Sequence, residues 1–318
     1  MSARSTQSTH QQRFGSQGFA YQAPGRVNLI GEHTDTSEGF VMPAALDLRT
    51  VSVLSPRSDS TANIYSLNFD EQVTLDLAHL PSRRRRHWSD YPTSVLWSLE
   101  QRGIRPNGFD LTLSGNVPLG SGLSSSASVE VAVAVAVLAY AETTLTKPEI
   151  AKICKFSENN FVGAQSGIMD PFTSCCGVEN HALLIDCRSL DYEALPLPRE
   201  VLLVICNSMV KHSLAGGGEY NQRRAEVQAG LEILQQHYPD IHTLRDVTEQ
   251  QLRRCESEMA EDIFRRCLHV VTEDERVAAA AAALRRGDFE KFGRTMHDAH
   301  MSMRDNYAAS CLETDLLV

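Results

Sequence analysis

GNVPLGSGLSSSAS, residues 115–128, packs three glycines and five serines into fourteen positions and runs directly into the apolar segment Val129 to Ala141. Glycine lets the backbone take positive φ and approach a ligand closely. The segment after it is rich in Ala, Val and Leu, which suits a buried helix. A glycine-rich loop feeding a helix N-terminus makes an anion site, because free N–H groups and the positive end of the helix dipole converge there. The serine hydroxyls can hydrogen-bond a phosphate or ligate a hard cation such as Mg²⁺. The stretch is not G-x-x-x-x-G-K-[ST], so a Walker A loop is excluded. Two alternatives share the composition. A flexible serine-glycine linker is one, although linkers do not usually run straight into Val and Ala. The other is a strand, since the Val-Ala alternation has period two; loop and length favour the helix.

The chain around this stretch has 318 residues, 42% hydrophobic and 22% charged, enough for two domains or one large one. Its net charge of −10 argues against nucleic acid or an anionic membrane as the main partner. The basic run Arg83 to Arg86 is short and isolated and reads as a solvated loop. Eight cysteines show no C-x-x-C spacing, and Cys175-Cys176 is too constrained for an ordinary disulfide. Residues 1–18 are polar and lack the apolar core of a secretory signal, and no apolar run reaches membrane-spanning length. Reduced thiols in a cytoplasmic protein are therefore expected, without a zinc site.

Residues 1–18 are rich in Ser and Gln and read as a disordered N-terminal tail. Strand-like pieces, Arg26 to Ile30 and Phe40 to Met42, flank a polar loop carrying Glu32, His33, Thr34 and Asp35. Exposed, that loop is an ordinary turn; in a pocket, its carboxylates and imidazole can bind a polyol's hydroxyls. Thr50 to Leu54, Ala62 to Ser66, Gln72 to Leu77, Phe109 to Ser114, His181 to Asp186 and Val201 to Asn207 read as strands. Ser94 to Arg102 and Lys147 to Phe161 read as helices, the latter with Pro148 in its first turn. Glycines 163, 167 and 177 break regular structure around Asp170. Glu219 to Ala309 is mostly helical, with a break near Tyr238-Pro239. The shift from strand-rich to helix-rich near residue 200 marks the expected domain boundary.

Three pieces together resemble the galactokinases of the GHMP small-molecule kinase superfamily: GRVNLIGEHTD (Gly25 to Asp35), PLGSGLSSSAS (Pro118 to Ser128) and SGIMD (Ser166 to Asp170). HALLIDCRSL, EYNQRR and SMRD fit the family at the expected places. The phosphate loop alone indicates the superfamily; the first signature points to galactose. The resemblance implies an α+β, two-domain GHMP kinase fold. Residues 19–200 would form an N-terminal mixed-sheet domain with helices, and residues 201–318 a shortened, incomplete C-terminal α/β domain.

It implies transfer of a phosphoryl group from ATP to the anomeric hydroxyl of α-D-galactose, the first committed step of galactose catabolism. Such transfer needs positioning and charge stabilisation more than covalent chemistry. Gly120, Ser121, Gly122, Leu123, Ser124, Ser125, Ser126 and Ala127 would form the phosphate cradle. Ser126 and Glu158 match positions that hold Mg²⁺ in related kinases. Asp170 would take or orient the proton of the sugar hydroxyl, with Arg26 beside it holding it ionised. Glu32, His33, Asp35, Gly167 and Tyr220 would bind the sugar. Trp88 matches a tryptophan that packs on adenine; from the residue alone, a core tryptophan is the better reading. A monomer using galactose and ATP is implied.

Three departures from the family stand out. Thr36 and Ser37 replace its usual Tyr-Asn, and LAGGGEY (Leu214 to Tyr220) carries an extra glycine. The family's second glycine-rich motif is not found in these residues, so exposed apolar surface and sheet edges are expected in the second domain. Two other functions share the motifs. One is a sugar and ATP sensor that regulates a partner protein, disfavoured by the intact Ser126-Ala127 pair altered in such relatives. The other is a kinase of N-acetylgalactosamine or another hexose, which Thr36 leaves open.

Overall fold

The computed structural model describes residues 2–198, 200–210 and 218–318. In chain order the elements are α1 (Ala3–Phe14), β1 (Phe19–Asn28), β2 (Phe40–Val41), β3 (Pro43–Pro56), β4 (Thr61–Ser66), β5 (Glu71–Asp76), α2 (Asp90–Glu100), β6 (Phe109–Gly115), α3 (Ser125–Tyr140), α4 (Lys147–Ser157), α5 (Met169–Cys176), β7 (His181–Asp186) and β8 (Tyr192–Pro196). Then come α6 (Glu219–His237), α7 (Glu249–Arg254), α8 (Glu261–Arg285), α9 (Phe289–Ser302) and α10 (Leu312–Leu317). They divide into two compact units, Met1–Val27 with Ala45–Gly177, and Asn28–Ala44 with Val178–Val318.

In the first unit β1 pairs with β3, and the order continues β3, β6, β4, β5. β6 runs antiparallel to β3 and parallel to β4. A parallel pair needs a crossover, and α2 lies within the one joining β4 to β6. Ile64, Leu99, Phe109, Leu111, Val131, Val137 and Ile153 form the core. Most residues of α3 are buried, Val131, Val133 and Ala134 among them. A helix buried on nearly every side has no need of a polar face, so its Val-Ala text carries no helical period. The sequence reading of this run as a helix holds, starting at Ser125.

In the second unit β7 pairs antiparallel with both β2 and β8. Leu234, Leu244, Cys267, Val270 and Tyr307 centre its core. The helix break expected near Tyr238-Pro239 is the end of α6 at His237.

Three expectations change. Residues 1–18 are not a loose tail: α1 is capped by Ser2, whose hydroxyl and Ser5 form a reciprocal box. His10 is fully buried, with Nδ1 2.8 Å from Thr112 Oγ1 and Nε2 2.9 Å from Ser55 Oγ. Polar anchors of this kind are invisible to hydropathy. The boundary near residue 200 is replaced by a division at Gly177, with Asn28–Ala44 grouped with the later residues. A chain excursion and return cannot be seen in composition along one dimension. Finally, Val201 to Asn207 forms no strand; Leu202 is 83% and Val204 81% exposed. Strand propensity acts through packing and a ladder partner, and this run has neither among the described residues. Residues 214–217 of the LAGGGEY stretch lie outside the described residues.

Replacing His10 with alanine is expected to cost about 2 kcal/mol, because two buried hydroxyls lose their partner. Urea unfolding of the variant checks this; an unchanged midpoint would show that α1 is not anchored by its histidine.

Candidate active site

The turn Pro118–Ser124 carries Gly120 at φ 69° and Gly122 at φ 74°, where a Cβ would meet open space, so glycine serves the backbone angle there. At Gly25 a Cβ would lie 2.7 Å from the Leu123 carbonyl oxygen, so the first signature and the loop touch through backbone. The Arg26 N–H donates to that carbonyl at 3.2 Å. Ser124, in the left-handed region at φ 58°, turns the chain into α3. This conformation is costly for a residue with a side chain and tends to persist where surrounding structure fixes it.

Three groups fix Asp170, in the first turn of α5. Arg26 donates from Nε at 2.8 Å and approaches from Nη2 at 2.5 Å, both to Oδ1. Ser124 Oγ donates to Oδ2 at 2.6 Å. Arg26 Nη1 also donates to the Gly122 carbonyl at 2.6 Å, so one guanidinium holds both loop and carboxylate. These side chains are only 13% and 20% exposed for Arg26 and Asp170, where charge-assisted bonds are screened little.

Behind the loop, Ser126 Oγ donates to Glu158 Oε1 at 3.1 Å and Ser166 Oγ to Oε2 at 2.7 Å. Glu158 is the first residue of a π turn, Glu158–Val162, that continues α4. The helix expected to run on to Phe161 changes character here, and π turns of this kind often sit at functional sites. Burial pushes the Glu158 carboxyl up, with the Ser166 bond opposing and the charge of Asp170 adding. Glu130, one turn into α3, is fully buried, and its carboxyl is also pushed up by burial and then by Glu158. Gly167 is buried on the link into α5, three residues before Asp170.

Trp88 is half-buried against the first unit's core, its ring stacked on Phe69 at 5.9 Å and its Nε1–H donating to Glu71 at 2.8 Å. It is thus partly a core residue, set between the half-exposed Phe69 and the ring of His87 at 5.4 Å. Asn68, next to Phe69, exchanges hydrogen bonds with Gly115, where the loop stretch begins. Within the basic run Arg84 donates to the Val162 carbonyl at 2.6 Å, so one of the four arginines braces the π turn.

In the second unit the signature turn brings Glu32, His33 and Asp35 together. Thr34 Oγ1 bonds the Gly31 and Phe40 carbonyls at 3.0 and 2.6 Å, closing the turn. His33 sits at φ 65°, its ring stacked on Tyr307 at 4.2 Å and tilted against Tyr220 at 5.9 Å. Tyr220, in the first turn of α6, therefore stands beside His33 despite the extra glycine before it. Asn28 Nδ2 donates to Glu32 at 3.1 Å. Burial raises the Glu32 carboxyl to about 8, with the charge of Glu273 adding. Burial lowers His33 to about 3, with His269 adding. Thr36 makes only a long 3.5 Å bond to the His33 carbonyl, and Ser37 is buried.

Sequence reasoning missed His269, Glu273 and Tyr307, all buried in this unit. Glu273 Oε1 accepts from the Gly31 N–H at 2.9 Å, and His269 Nε2 lies 3.0 Å from the Glu32 carbonyl, to which it donates. SMRD was the one available signal, since Tyr307 follows it by two residues. Burial lowers His269 to about 3. An unfolded histidine takes a proton below about 6.5. The folded one does not until near 3, so the stability it supports is lost as pH falls through that window. Relative to His269→Gln, the protein is expected to lose roughly 2 kcal/mol between pH 7 and 5. Parallel stability curves for the two proteins in urea would contradict this.

A family model described as the GHMP kinases N terminal domain matches residues 90–178, and one described as the galactokinase galactose-binding signature matches residues 8–56. A galactokinase from Roseiflexus sp. (strain RS-1) is 42% identical over 297 residues, which are 93% of this chain and 75% of that one. One from Chloroflexus aurantiacus is 42% identical over the same share of this chain and 76% of its own. The crystal structure of Lactococcus lactis galactokinase complexed with galactose superposes with a TM-score of 0.91 at 29% identity, covering 99% of this chain and 82% of that one. A mevalonate kinase, at a TM-score of 0.60 and 18% identity, shares the fold. With 42% identity to two galactokinases over 93% of its length, a matching galactose-binding signature model and a fold shared with a galactokinase at a TM-score of 0.91, the chain belongs to the galactokinases of the GHMP kinase superfamily.

Proposed function

We propose that the protein transfers the γ-phosphoryl group of ATP to the anomeric hydroxyl of α-D-galactose, giving galactose 1-phosphate. The observation that carries this is Asp170, gripped on one oxygen by Arg26 and on the other by Ser124 of the glycine-rich loop. A carboxylate so placed can accept the proton of an attacking hydroxyl, while the guanidinium faces the charge that develops on the transferring group. Backbone N–H groups of Gly120 to Ser126 cradle the phosphates, with Ala127 opening the buried part of the helix behind them. The Phe69–Trp88 face receives the adenine. Glu32, His33, Asp35, Gly167 and Tyr220 bind the remaining sugar hydroxyls. A neutral imidazole at His33 offers one donor and one acceptor, which suits a polyol, while the Glu32 carboxyl, held protonated by burial and by Glu273, adds acceptor capacity.

Ser126 and Glu158 fit Mg²⁺. Their oxygens converge within 3.1 Å, and a cation there would stabilise the charge that burial disfavours on Glu158. No group of three His, Cys, Asp or Glu side chains able to hold a metal occurs among the described residues, so phosphate oxygens and water would have to supply the ion's other ligands. When bound, that ion neutralises charge on the phosphates during transfer.

A coupled ADP-release assay with galactose, glucose and N-acetylgalactosamine, each with and without Mg²⁺, tests the reading. Galactose- and Mg²⁺-dependent ADP release supports it. Release with N-acetylgalactosamine alone reassigns the substrate, and no release with any sugar removes the catalytic claim.

A further inference from the structure

The signature turn of the second unit is held from behind by residues that lie far from it in the sequence. His33 is in the left-handed region at φ 65°. For a residue with a side chain this costs about 1–2 kcal/mol relative to ordinary conformations, so something must hold it. Its ring lies nearly parallel to Tyr307, 4.2 Å away at 18°. Tyr307 is 1% exposed and also packs against His269, at 4.9 Å and 49°.

His269 in turn has its tautomer fixed. Nε2 faces the Glu32 carbonyl oxygen at 3.0 Å and must donate to it, so Nδ1 accepts from Ser302 Oγ at 3.0 Å. Asn306 Nδ2 donates to the same Ser302 oxygen at 3.2 Å. Arg266 then bonds the Asn306 carbonyl and, at 3.0 Å, Glu226 on α6. That helix carries Tyr220, the other ring against His33. The network therefore closes on itself: both aromatic neighbours of His33, and the backbone on its N-terminal side, are set by one bonded cluster. Asp35 belongs to the same surroundings, since its charge raises the buried Tyr307 phenol further than burial alone.

We propose that Tyr307 and His269 are positioning residues for the sugar site, the first holding the His33 ring by its stack and the second holding the Glu32 carbonyl by its Nε2–H. This rests on the galactose reading of Glu32, His33 and Asp35 given above. Neither residue need touch the sugar. Their effect is on the aim of hydroxyl-binding groups, where an error of about an ångström weakens binding strongly. Tyr307 acts through ring area, which phenylalanine retains. His269 acts through one donor, which a glutamine amide can replace.

The test compares Tyr307→Leu with Tyr307→Phe, and His269→Ala with His269→Gln, in the full chain. The readouts are galactose affinity by calorimetry and KM for each substrate. Tyr307→Leu and His269→Ala are expected to raise KM for galactose about tenfold or more, with KM for ATP within about twofold; Tyr307→Phe and His269→Gln should recover most of the loss, to within about threefold of wild type. Should Tyr307→Leu fail to fold, the histidine pair carries the same comparison. Unchanged galactose KM in the Leu and Ala variants overturns the proposal. So does a rise of both KM values together with no recovery in Phe and Gln, which marks a merely structural role. Wild type that binds ATP but no galactose overturns the galactose reading itself, and the positioning role with it.

Discussion

Replacing Asp170 with alanine is expected to lower kcat for phosphoryl transfer to galactose by about a hundred- to ten-thousand-fold, while ATP affinity changes by no more than about threefold. The size of the loss is that expected on removing the carboxylate proposed above to take the proton of the attacking hydroxyl. The sparing of ATP follows from geometry: the loop is also held by the Arg26 N–H on the Leu123 carbonyl and by Arg26 Nη1 on Gly122, neither of which involves Asp170. Asp170→Asn sharpens the experiment. Its amide keeps the volume, its oxygen can still accept from Arg26, and Ser124 can turn its hydroxyl to accept from the amide nitrogen. Only the basicity is gone, so Asn and Ala should be similarly slow. An asparagine variant within about tenfold of wild-type kcat would show that Asp170 orients rather than removes the proton. Turnover close to wild type in both variants would remove Asp170 from the mechanism.

Asp35→Ala is expected to raise KM for galactose by about a hundredfold, with a smaller change in kcat. In a shielded site, a sugar hydroxyl left without its hydrogen-bond acceptor costs about 2–3 kcal/mol of binding. The turn that presents Asp35 should survive, because Thr34 closes it with bonds to Gly31 and Phe40 that do not use the carboxylate. Asp35→Asn should recover part of the affinity through its amide. Comparison of galactose with its deoxy analogues identifies the hydroxyl concerned: the analogue lacking it should bind wild type and Asp35→Ala equally. If every analogue loses the same factor in both proteins, Asp35 does not contact the sugar.

Much of the glycine-rich loop was legible because its requirements are local. Gly120 and Gly122 announce positive φ, the serines announce hydroxyls, and the apolar run after them announces a buried helix. Strands β4, β5, β6 and β7 were legible for the same reason. What escaped depends on distant partners. His10 reads as one more polar residue in a Ser- and Gln-rich tail until Thr112 and Ser55 are placed against it. Tyr307 lies far from His33 in sequence yet stacks on it. The Val201 to Asn207 run shows the converse error, since an apolar, β-branched text met no neighbouring strand among the described residues. Trp88 divides the two cases: its core packing is what composition favours, and its stack with Phe69 is what only coordinates reveal.

The guanidinium of Arg26 has a consequence for energetics. Because it spans Gly122 and Asp170, a displacement of the loop at Gly122 is transmitted to the carboxylate through one rigid planar group, whereas the loop keeps its own bonds to Arg26 when the carboxylate is changed. Thermodynamic cycles that pair a change at Gly122 with Asp170→Asn should therefore be non-additive, the second change costing less than it does alone. A substitution that shifts the Gly122 carbonyl is therefore expected to displace the Asp170 carboxylate as well, with Arg26 as the lever between them.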